Sequence, residues 1–524
     1  MNQKKTLVPA AYGGSTHYHI GGVTDAESSR HRSHVPCLSP SSLVISGEFL
    51  FFAALASLKP LTSTSIARDL PMSNPVDPQR QTPTSKTPIT ASADSARRSF
   101  LKAGTVASAS VVAGLTNARP VRGAEPQNAS EEPVRIGLVG AGGRGSGAIN
   151  DSLTINENVT LSAIADVEER KLESVRKGTA KRHEGKVDVA EHKMHSGIDA
   201  YRRILDDPDI DVVLFATPPG FRPQYVAEAV DAGKHVFAEK PTCVDPAGYK
   251  ICLSAHEQAE KNGTAIVTGT QYRRQTNYVE AIKQLHDGVI GDIIAATMRY
   301  CSSGIWFRNR RPEMSDTQYQ IFNWMHNIWL SGDQIAEQAV HNIDTMNWIM
   351  GGPPESAYGS GGRFTRPEGS EMWDNVEVDY VYPGNRLVSF MCRQIPGTQG
   401  DNSNTIYCTG GRCTIRGGNS GASIVDRDGK EIWSMKGDIG AAYKQEHKDL
   451  IDSIRNGKPI VELKDTADSS MTAALGRMAA YTGKNVTWDF ATNESKLDLF
   501  PKDFDINGSR PEPEFAIPGK TPLI

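Results

Sequence analysis

The stretch VRIGLVGAGGRGSGAI constrains the fold more than any other part of the chain. A short apolar strand leads directly into glycines at the G-x-G-x-x-G spacing, and a helix of small residues follows. This spacing is needed where a tight turn joins a strand to a helix whose N-terminus faces a pyrophosphate. We therefore predict the first unit of a dinucleotide-binding sheet. Its expected cofactor-binding residues are Gly140, Gly142, Gly143, Arg144 and Gly145.

The segments after this turn alternate between strand and helix patterns, which predicts a doubly wound parallel sheet. VTLSAIADV contains a second strand that ends in Asp166, at the distance where a carboxylate accepts the ribose hydroxyls. Asp166 favours NAD over NADP, because a 2′-phosphate would face a like charge; alternatively, it only caps the helix at Glu168. DVVLFATPP and KHVFAEKP are further strands, and their ends place Thr217, Pro218 and Glu239 in the ligand crevice.

Lys240 follows Glu239 and is expected at the same edge of the sheet. A lysine there could polarise or protonate a substrate oxygen beside the nicotinamide ring. An exposed lysine in a proline turn is an equally good interpretation.

The stretch EQAVHNID puts Glu337, His341 and Asp344 within about one turn of each other on a predicted helix. Ser331 with Gln334 predicts a capping box at its start, and a Gly-Gly-Pro turn ends it. A proton relay, a metal site and a solvated helix edge are alternative interpretations. A metal site needs another ligand, and E-x-x-x-H spacing is frequent on ordinary helices, so we predict no metal.

GLVGAGGRG, AEKP and EQAVHNID occur in this order, together with GVIGDI and EHKDLIDSIRNGKPI. These motifs resemble the Gfo/Idh/MocA family over about residues 133–490. The resemblance implies an α/β protein with an NAD(P)-binding Rossmann domain and a C-terminal α/β domain. The latter has a large, mostly antiparallel open sheet that often forms the oligomer interface. The implied activity is hydride transfer at a ring carbon of a sugar or cyclitol.

The family motifs imply a catalytic role for four side chains. Lys240 matches the lysine of the E-K-P motif, and His341 matches the histidine of a D-x-x-x-H motif. Glu337 stands where the family has Asp, and Asp344 matches a frequent family carboxylate. We expect His341 to act as the base, Glu337 to orient its ring, and Lys240 to donate to the substrate oxygen. Asp344 is expected to bind a neighbouring hydroxyl or the lysine.

An aromatic and arginine-rich segment just upstream, GIWFRNRRPEMSDTQYQIFNWMHNIW, is the predicted substrate loop. Aromatic faces beside polar donors suit sugar rings, so Trp324 and His326 are candidate substrate residues. Packing in the core or at a dimer interface is the alternative for any single aromatic residue. Tyr272 and Arg273 are further candidates, because the chain passes there from the cofactor domain to the substrate domain.

Residues 1–132 are predicted to be a disordered extension with a twin-arginine export signal around Arg97 and Arg98. The signal lies so far into the chain that we expect translation to start at Met72. Export to the periplasm follows from this prediction, as does a tightly bound cofactor, since free NAD is not expected outside the cytoplasm. The predicted domains are 133–270 for NAD(P), 271–490 for substrate and oligomerisation, and 491–524 for a C-terminal tail.

The formal charge of -4 argues against nucleic acid as a partner. We expect a sugar or cyclitol substrate, no membrane anchor after processing, and a homodimer or homotetramer. An NAD-dependent glycosidase that oxidises the sugar transiently needs the same cofactor and base, so the sequence leaves it open. A non-catalytic sugar-binding protein of the same fold is a further alternative.

Overall fold

The structure is a computed structural model and describes residues 133–524. These residues form two β-sheets flanked by helices. The predicted extension, export signal and start site lie outside this range. Within it, the helices are too short or too polar to cross a membrane.

Sheet 1 is parallel throughout and corresponds to the predicted Rossmann sheet. Its strands are β1 (Val134–Val139), β2 (Val159–Asp166), β3 (Met194–Ser196), β4 (Val212–Phe215), β5 (His235–Ala238) and β6 (Ile266–Thr268). The spatial order is β3-β2-β1-β4-β5-β6. The order reverses between β1 and β4, and a ligand crevice is expected beyond the carboxyl ends of these strands.

Helices cover both faces of sheet 1, so its central strands are continuous buried apolar runs. The helices are α1 (Gly143–Ile155), α2 (Glu169–Arg182), α3 (Ala200–Leu205), α4 (Arg222–Asp231) and α5 (Pro246–Asn262). Leu172 of α2 packs on one face and Val226 of α4 on the other. The predicted doubly wound arrangement is confirmed.

Sheet 2 has nine strands, and β7 and β10 form its parallel pair while the other neighbours are antiparallel. The strands are β7 (Ile293–Ser302), β8 (Ser356–Gly362), β9 (Asn375–Tyr382), β10 (Arg386–Gln394), β11 (Asp401–Cys408), β12 (Gly411–Arg416), β13 (Gly421–Asp426), β14 (Glu431–Met435) and β15 (Val486–Thr487). Their spatial order is β14-β13-β12-β11-β7-β10-β9-β8-β15. The predicted second sheet, large and mostly antiparallel, is confirmed.

The helices after β6 connect the two sheets. They are α6 (Thr276–His286), α7 (Asp316–Phe322), α8 (Ile328–Ser331), α9 (Asp333–Glu337), α10 (Val340–Met350), α11 (Ile439–Arg455) and α12 (Leu463–Thr482). Helices α10 and α12 cover one face of sheet 2, whereas α11 returns to pack against α1 of sheet 1. Helix α11 therefore packs beside sheet 1 although it follows most of sheet 2 in the chain. The predicted domain boundary at residue 270 stays a prediction.

Candidate active site

A cavity of about 1030 Å³ lies at the carboxyl edge of sheet 1 and is closed on its other side by residues of the segment 308–341. It brings together most of the residues predicted to bind a cofactor. Those lining it are Gly140, Gly142, Gly143, Arg144, Asp166, Thr217, Pro218, Glu239 and Lys240. The strand ends therefore converge as a doubly wound sheet requires.

The glycine turn between β1 and α1 is shaped for a close backbone approach. Gly140 has φ +96°, and a Cβ there would lie 2.7 Å from the Ala216 carbonyl oxygen. A Cβ at Gly145 would lie 1.9 Å from the Gly140 oxygen, so this glycine lets α1 pack close to the strand. At Gly142 and Gly143 a Cβ would meet nothing within 4 Å, which leaves open space at the N-terminus of α1. This cradle fits the pyrophosphate of a dinucleotide.

Asp166 holds the backbone on both sides of the cavity edge. Its Oδ2 accepts a 2.7 Å hydrogen bond from the Ala141 N–H, which fixes the glycine turn. Its Oδ1 accepts from the Glu168 N–H at 2.9 Å and from Lys171 Nζ at 3.3 Å. The buried carboxylate also lines the cavity, so one side chain links the glycine turn, the residue just before α2 and the cavity. Its contact with a ribose stays a prediction.

Arg144 of the glycine turn is held by acidic side chains. Its Nε donates to Glu239, and its Nη2 lies 3.5 Å from Glu446 Oε1. The guanidinium carbon stands 4.6 Å from the centre of the Tyr443 ring. Burial raises the pKa of the Glu446 carboxyl, although Arg144 opposes this shift. Arg144 therefore has a fixed position in the cavity wall before any ligand binds.

Lys240 and Glu337 form an ion pair across the cavity. Lys240 Nζ lies 3.0 Å from Glu337 Oε1 and also donates to the Glu337 carbonyl oxygen. The motif pattern predicts that Glu337 orients the His341 ring. The structure corrects this, because the carboxylate binds the lysine instead.

His341 lines the same cavity and is half-buried. Its ring centre lies 5.4 Å from that of Tyr272, which stacks in turn on Tyr278. Burial lowers the pKa of His341 well below its ordinary value, and the positive charges of Lys240 and Arg144 add to this effect. The imidazole is therefore neutral near pH 7 and able to accept a proton.

The predicted continuous helix from Ser331 is wrong. Gly332, with φ +72°, separates α8 from α9, and a further break at Ala339 separates α9 from α10. Ser331 does not form the predicted capping box with Gln334, because its Oγ accepts from the Asp333 N–H at 3.1 Å. Glu337 thus lies at the end of one helix and His341 in the first turn of the next, and the break turns Glu337 toward Lys240.

Asp344 lies behind the cavity wall, not in it. Both of its oxygens accept from Arg273, with Nε–Oδ2 and Nη2–Oδ1 distances of 2.9 Å each. Oδ1 also accepts from Ser469 Oγ at 2.8 Å. The predicted contact with the lysine is therefore not formed, and the predicted substrate role of Arg273 is corrected to fixing α10. Tyr272 is also buried and does not line the cavity, and its ring centre lies 5.4 Å from that of His341.

Of the two aromatic-segment candidates, Trp324 lines the cavity and His326 does not. His326 is fully buried, and its ring nitrogens contact Ser370 Oγ at 2.8 Å and the Trp306 carbonyl oxygen at 2.6 Å. Burial lowers the pKa of His326 to about 4. The predicted substrate role of His326 is thus corrected to a structural one.

Residues 134–268 match the description "Oxidoreductase family, NAD-binding Rossmann fold", and residues 278–414 match the GFO/IDH/MocA C-terminal domain. Both descriptions are those of one family. The chain belongs to the Gfo/Idh/MocA oxidoreductase family. The predicted NAD-binding Rossmann domain is confirmed by this match.

Individual Gfo/Idh/MocA relatives differ in their named activities. An inositol 2-dehydrogenase from Acidothermus cellulolyticus is 25% identical over 251 residues, 48% of this chain and 63% of that protein. A glycosyl hydrolase family 109 protein from Shewanella sp. strain ANA-3 is 33% identical over 156 residues, 28% of this chain and 33% of that protein. The chain thus spans less than two thirds of the length of either curated relative.

Among solved structures, levoglucosan dehydrogenase in complex with NADH and levoglucosan has the same fold. The TM-score is 0.54 at 18% identity, and the match covers 68% of this chain and 99% of that one. At 18% sequence identity, this similarity is evidence for a shared fold alone.

Three residues of this Gfo/Idh/MocA site were not predicted from the sequence. Gln271 follows β6 and lines the cavity, as expected for a strand end in this sheet. Tyr443 lies one helical turn before Glu446 of the closing motif, and burial raises its pKa to about 12. Arg222 is buried and donates to the carbonyl oxygens of the turns after β4 and β5, and no sequence pattern indicated it.

Proposed function

We propose that the protein is an NAD-dependent dehydrogenase acting on a hydroxyl-bearing carbon of a sugar or cyclitol. One observation carries this proposal: the glycine cradle, the Lys240–Glu337 ion pair and neutral His341 line a single cavity. A cradle for a dinucleotide, a cation for the substrate oxygen and a proton acceptor are what alcohol oxidation requires.

In the proposed reaction, bound NAD supplies the hydride acceptor. The Lys240 ammonium donates a hydrogen bond to the substrate oxygen and favours the developing alkoxide. His341 takes the hydroxyl proton, because its lowered pKa keeps the ring neutral. Glu337 holds the lysine in place, and Trp324 offers an apolar face to the sugar ring.

The experiment is a panel of sugars and cyclitols, with reduced nicotinamide measured by its near-ultraviolet absorbance. Lys240→Met and His341→Ala should each lower turnover by about a hundredfold or more. Lys261→Met and His192→Ala, at exposed positions, are matched controls that should retain activity. Wild-type turnover in both variants would disprove the catalytic roles of Lys240 and His341. Absence of turnover in the wild type with every sugar and cyclitol would instead favour a non-catalytic sugar-binding protein.

An NAD-dependent glycosidase is the second candidate, supported by the glycosyl hydrolase family 109 relative. His341 and Lys240 would have the same roles if NAD oxidised a sugar hydroxyl only transiently. Aryl glycosides distinguish the two, because a glycosidase releases the aglycone without net formation of NADH. Stoichiometric NADH or a keto-sugar product would support the dehydrogenase.

We further propose a homodimer or homotetramer formed through the outer face of sheet 2. Tyr358, Leu387 and Tyr407 are exposed there by 60, 44 and 42%. Leu387 and Tyr407 both pair with Ala295 of β7, so they share one face. Light scattering of the wild type and of Leu387→Glu tests this, and a monomeric wild type would contradict it.

Export through a twin-arginine signal, with a resident cofactor loaded before transport, is also proposed. Its support is the sequence pattern around Arg97 and Arg98. Fractionation of cells expressing the wild type and Arg97→Lys, Arg98→Lys measures whether the mature protein reaches the periplasm. Equal periplasmic amounts for both would contradict the proposal.

A further inference from the structure

The segment after β7, residues 303–315, is called here the arginine loop, and it reaches from sheet 2 to sheet 1. Its Arg308 and Arg311 line the cavity together with Glu168. Arg311 Nη2 lies 3.6 Å from Glu168 Oε2, two residues beyond Asp166 at the end of β2. In a doubly wound sheet the end of this strand faces the adenosine ribose. The arginine loop therefore closes the adenosine end of the cavity.

Arg308 is held rigidly by its neighbours. Its backbone N–H donates to Asn323 Oδ1 at 2.9 Å, and its carbonyl accepts from Asn323 Nδ2 at 2.7 Å. The side-chain Nη1 donates to the Phe322 carbonyl oxygen at 2.6 Å, while the guanidinium carbon lies 3.9 Å from the centre of the Trp306 ring. The guanidinium is therefore positioned before a ligand arrives.

The C-terminal tail supports this loop from outside. Ser315 Oγ donates to the Ile506 carbonyl oxygen at 2.7 Å, and the Arg510 N–H donates to Asp316 Oδ2 at 3.1 Å. Ile506 itself lines the cavity. The tail thus fixes the start of α7 and, through it, the arginine loop.

The adenosine end carries an excess of positive charge. Its charged lining residues are four basic ones, Arg170, Lys171, Arg308 and Arg311, and three acidic ones, Asp166, Glu168 and Glu313. Burial lowers the pKa of Arg308, and Arg170 and Arg311 lower it further against the opposing effect of Glu168. An anionic ligand with an aromatic base would relieve this repulsion, because guanidinium groups stack on rings and bind phosphates.

We propose that Arg308 and Arg311 form a clamp that holds the adenosine half of the dinucleotide and slows its release. The proposal rests on the proposed function, since it assumes that the cavity binds NAD. It supplies a physical basis for a resident cofactor in an exported enzyme. The second sheet then contributes to cofactor retention as well as to the substrate site.

The test is the dissociation rate of NADH from the purified full-length protein, measured by stopped-flow fluorescence with a chase and without any sugar. Arg311→Gln and Arg308→Met should each release NADH about three- to tenfold faster than the wild type. Unchanged melting temperatures show that the variants are folded. In Arg308→Met the apolar side chain still packs on the Trp306 ring, so faster release of NADH from this variant measures the effect of the lost positive charge.

Arg182→Gln is the matched control, because Arg182 is exposed and lies outside both the arginine loop and the cavity lining. Equal acceleration in Arg182→Gln, or no acceleration in Arg311→Gln and Arg308→Met, would overturn the clamp. An effect confined to NADPH would also overturn it, by assigning these arginines to a 2′-phosphate. NADH binding that responds as expected, without turnover of any sugar, would refute the proposed function and leave the clamp intact.

Discussion

Lys240 Nζ lies 3.0 Å from Glu337 Oε1, and this contact joins the turn after β5 to the end of α9. Both side chains are largely shielded from solvent, with 13 and 16% of their surface exposed. The ion pair therefore holds the ammonium at a fixed place beside His341 in a site of reduced dielectric.

Replacing Glu337 by Gln should leave Lys240 poorly held. Loss of the charged partner weakens the hydrogen bond and lets the ammonium move, so we expect kcat/KM to fall by about a hundredfold. The measurement is steady-state turnover of the best substrate. Glu377→Gln, on an exposed position of β9, is the control. Full activity in Glu337→Gln would show that Glu337 does not position Lys240.

The pH dependence should report the neutral state of His341. A base acts when it is deprotonated, so a lowered pKa moves the acid limb of kcat/KM well below the ordinary value of about 6.5. Lys240→Met removes one of the positive charges that lower this pKa and should move the limb to higher pH. An acid limb at or above pH 6.5 in the wild type would contradict the assignment.

Gly145→Ala should disturb the glycine turn. The added Cβ would lie 1.9 Å from the Gly140 carbonyl oxygen, which the backbone cannot accommodate without moving. We expect destabilisation by about 1–3 kcal/mol and a loss of NADH affinity. Gly178→Ala in α2 meets nothing within 4 Å and should be neutral or stabilising by about 0.5–1 kcal/mol. Equal effects of the two changes on denaturant unfolding would refute this explanation.

His326 should make the protein sensitive to acid. Its pKa is about 4 when folded and about 6.5 when unfolded, so below pH 6.5 the unfolded state binds the proton preferentially. The free energy of unfolding should therefore fall toward pH 4, by up to about 1.4 kcal/mol per pH unit from this residue. His326→Gln should flatten that slope in denaturant titrations, whereas exposed His192→Gln should not. Identical slopes in the wild type and His326→Gln would contradict this.

The cofactor half of the site was predictable because its signals are local. Strand ends of a parallel sheet meet at one edge, so Gly140, Asp166, Thr217 and Lys240 could be placed together from their positions after apolar runs. Tyr443 was missed, although it lies one turn before the closing motif, because α11 returns to sheet 1 only after the whole of sheet 2.

Several residues of the second half have other partners than the sequence predicted. The sequence placed Glu337 and His341 on one helix, whereas breaks at Gly332 and Ala339 divide that helix. His326 was expected to face the substrate, yet its hydrogen bonds to Ser370 and Trp306 bury it. These partners are distant in sequence or depend on a backbone break, and periodicity carries no information about either.

The sequence by itself determined the fold class, the family and the glycine cradle, because strand periodicity and glycine spacing act through neighbouring residues. Only the tertiary structure decided that Glu337 binds Lys240, that Asp344 binds Arg273, and that Arg311 reaches Glu168. Each of these ion pairs joins residues that lie at least 71 positions apart in the sequence. Their pairing depends on how the two sheets pack, which local sequence patterns do not encode.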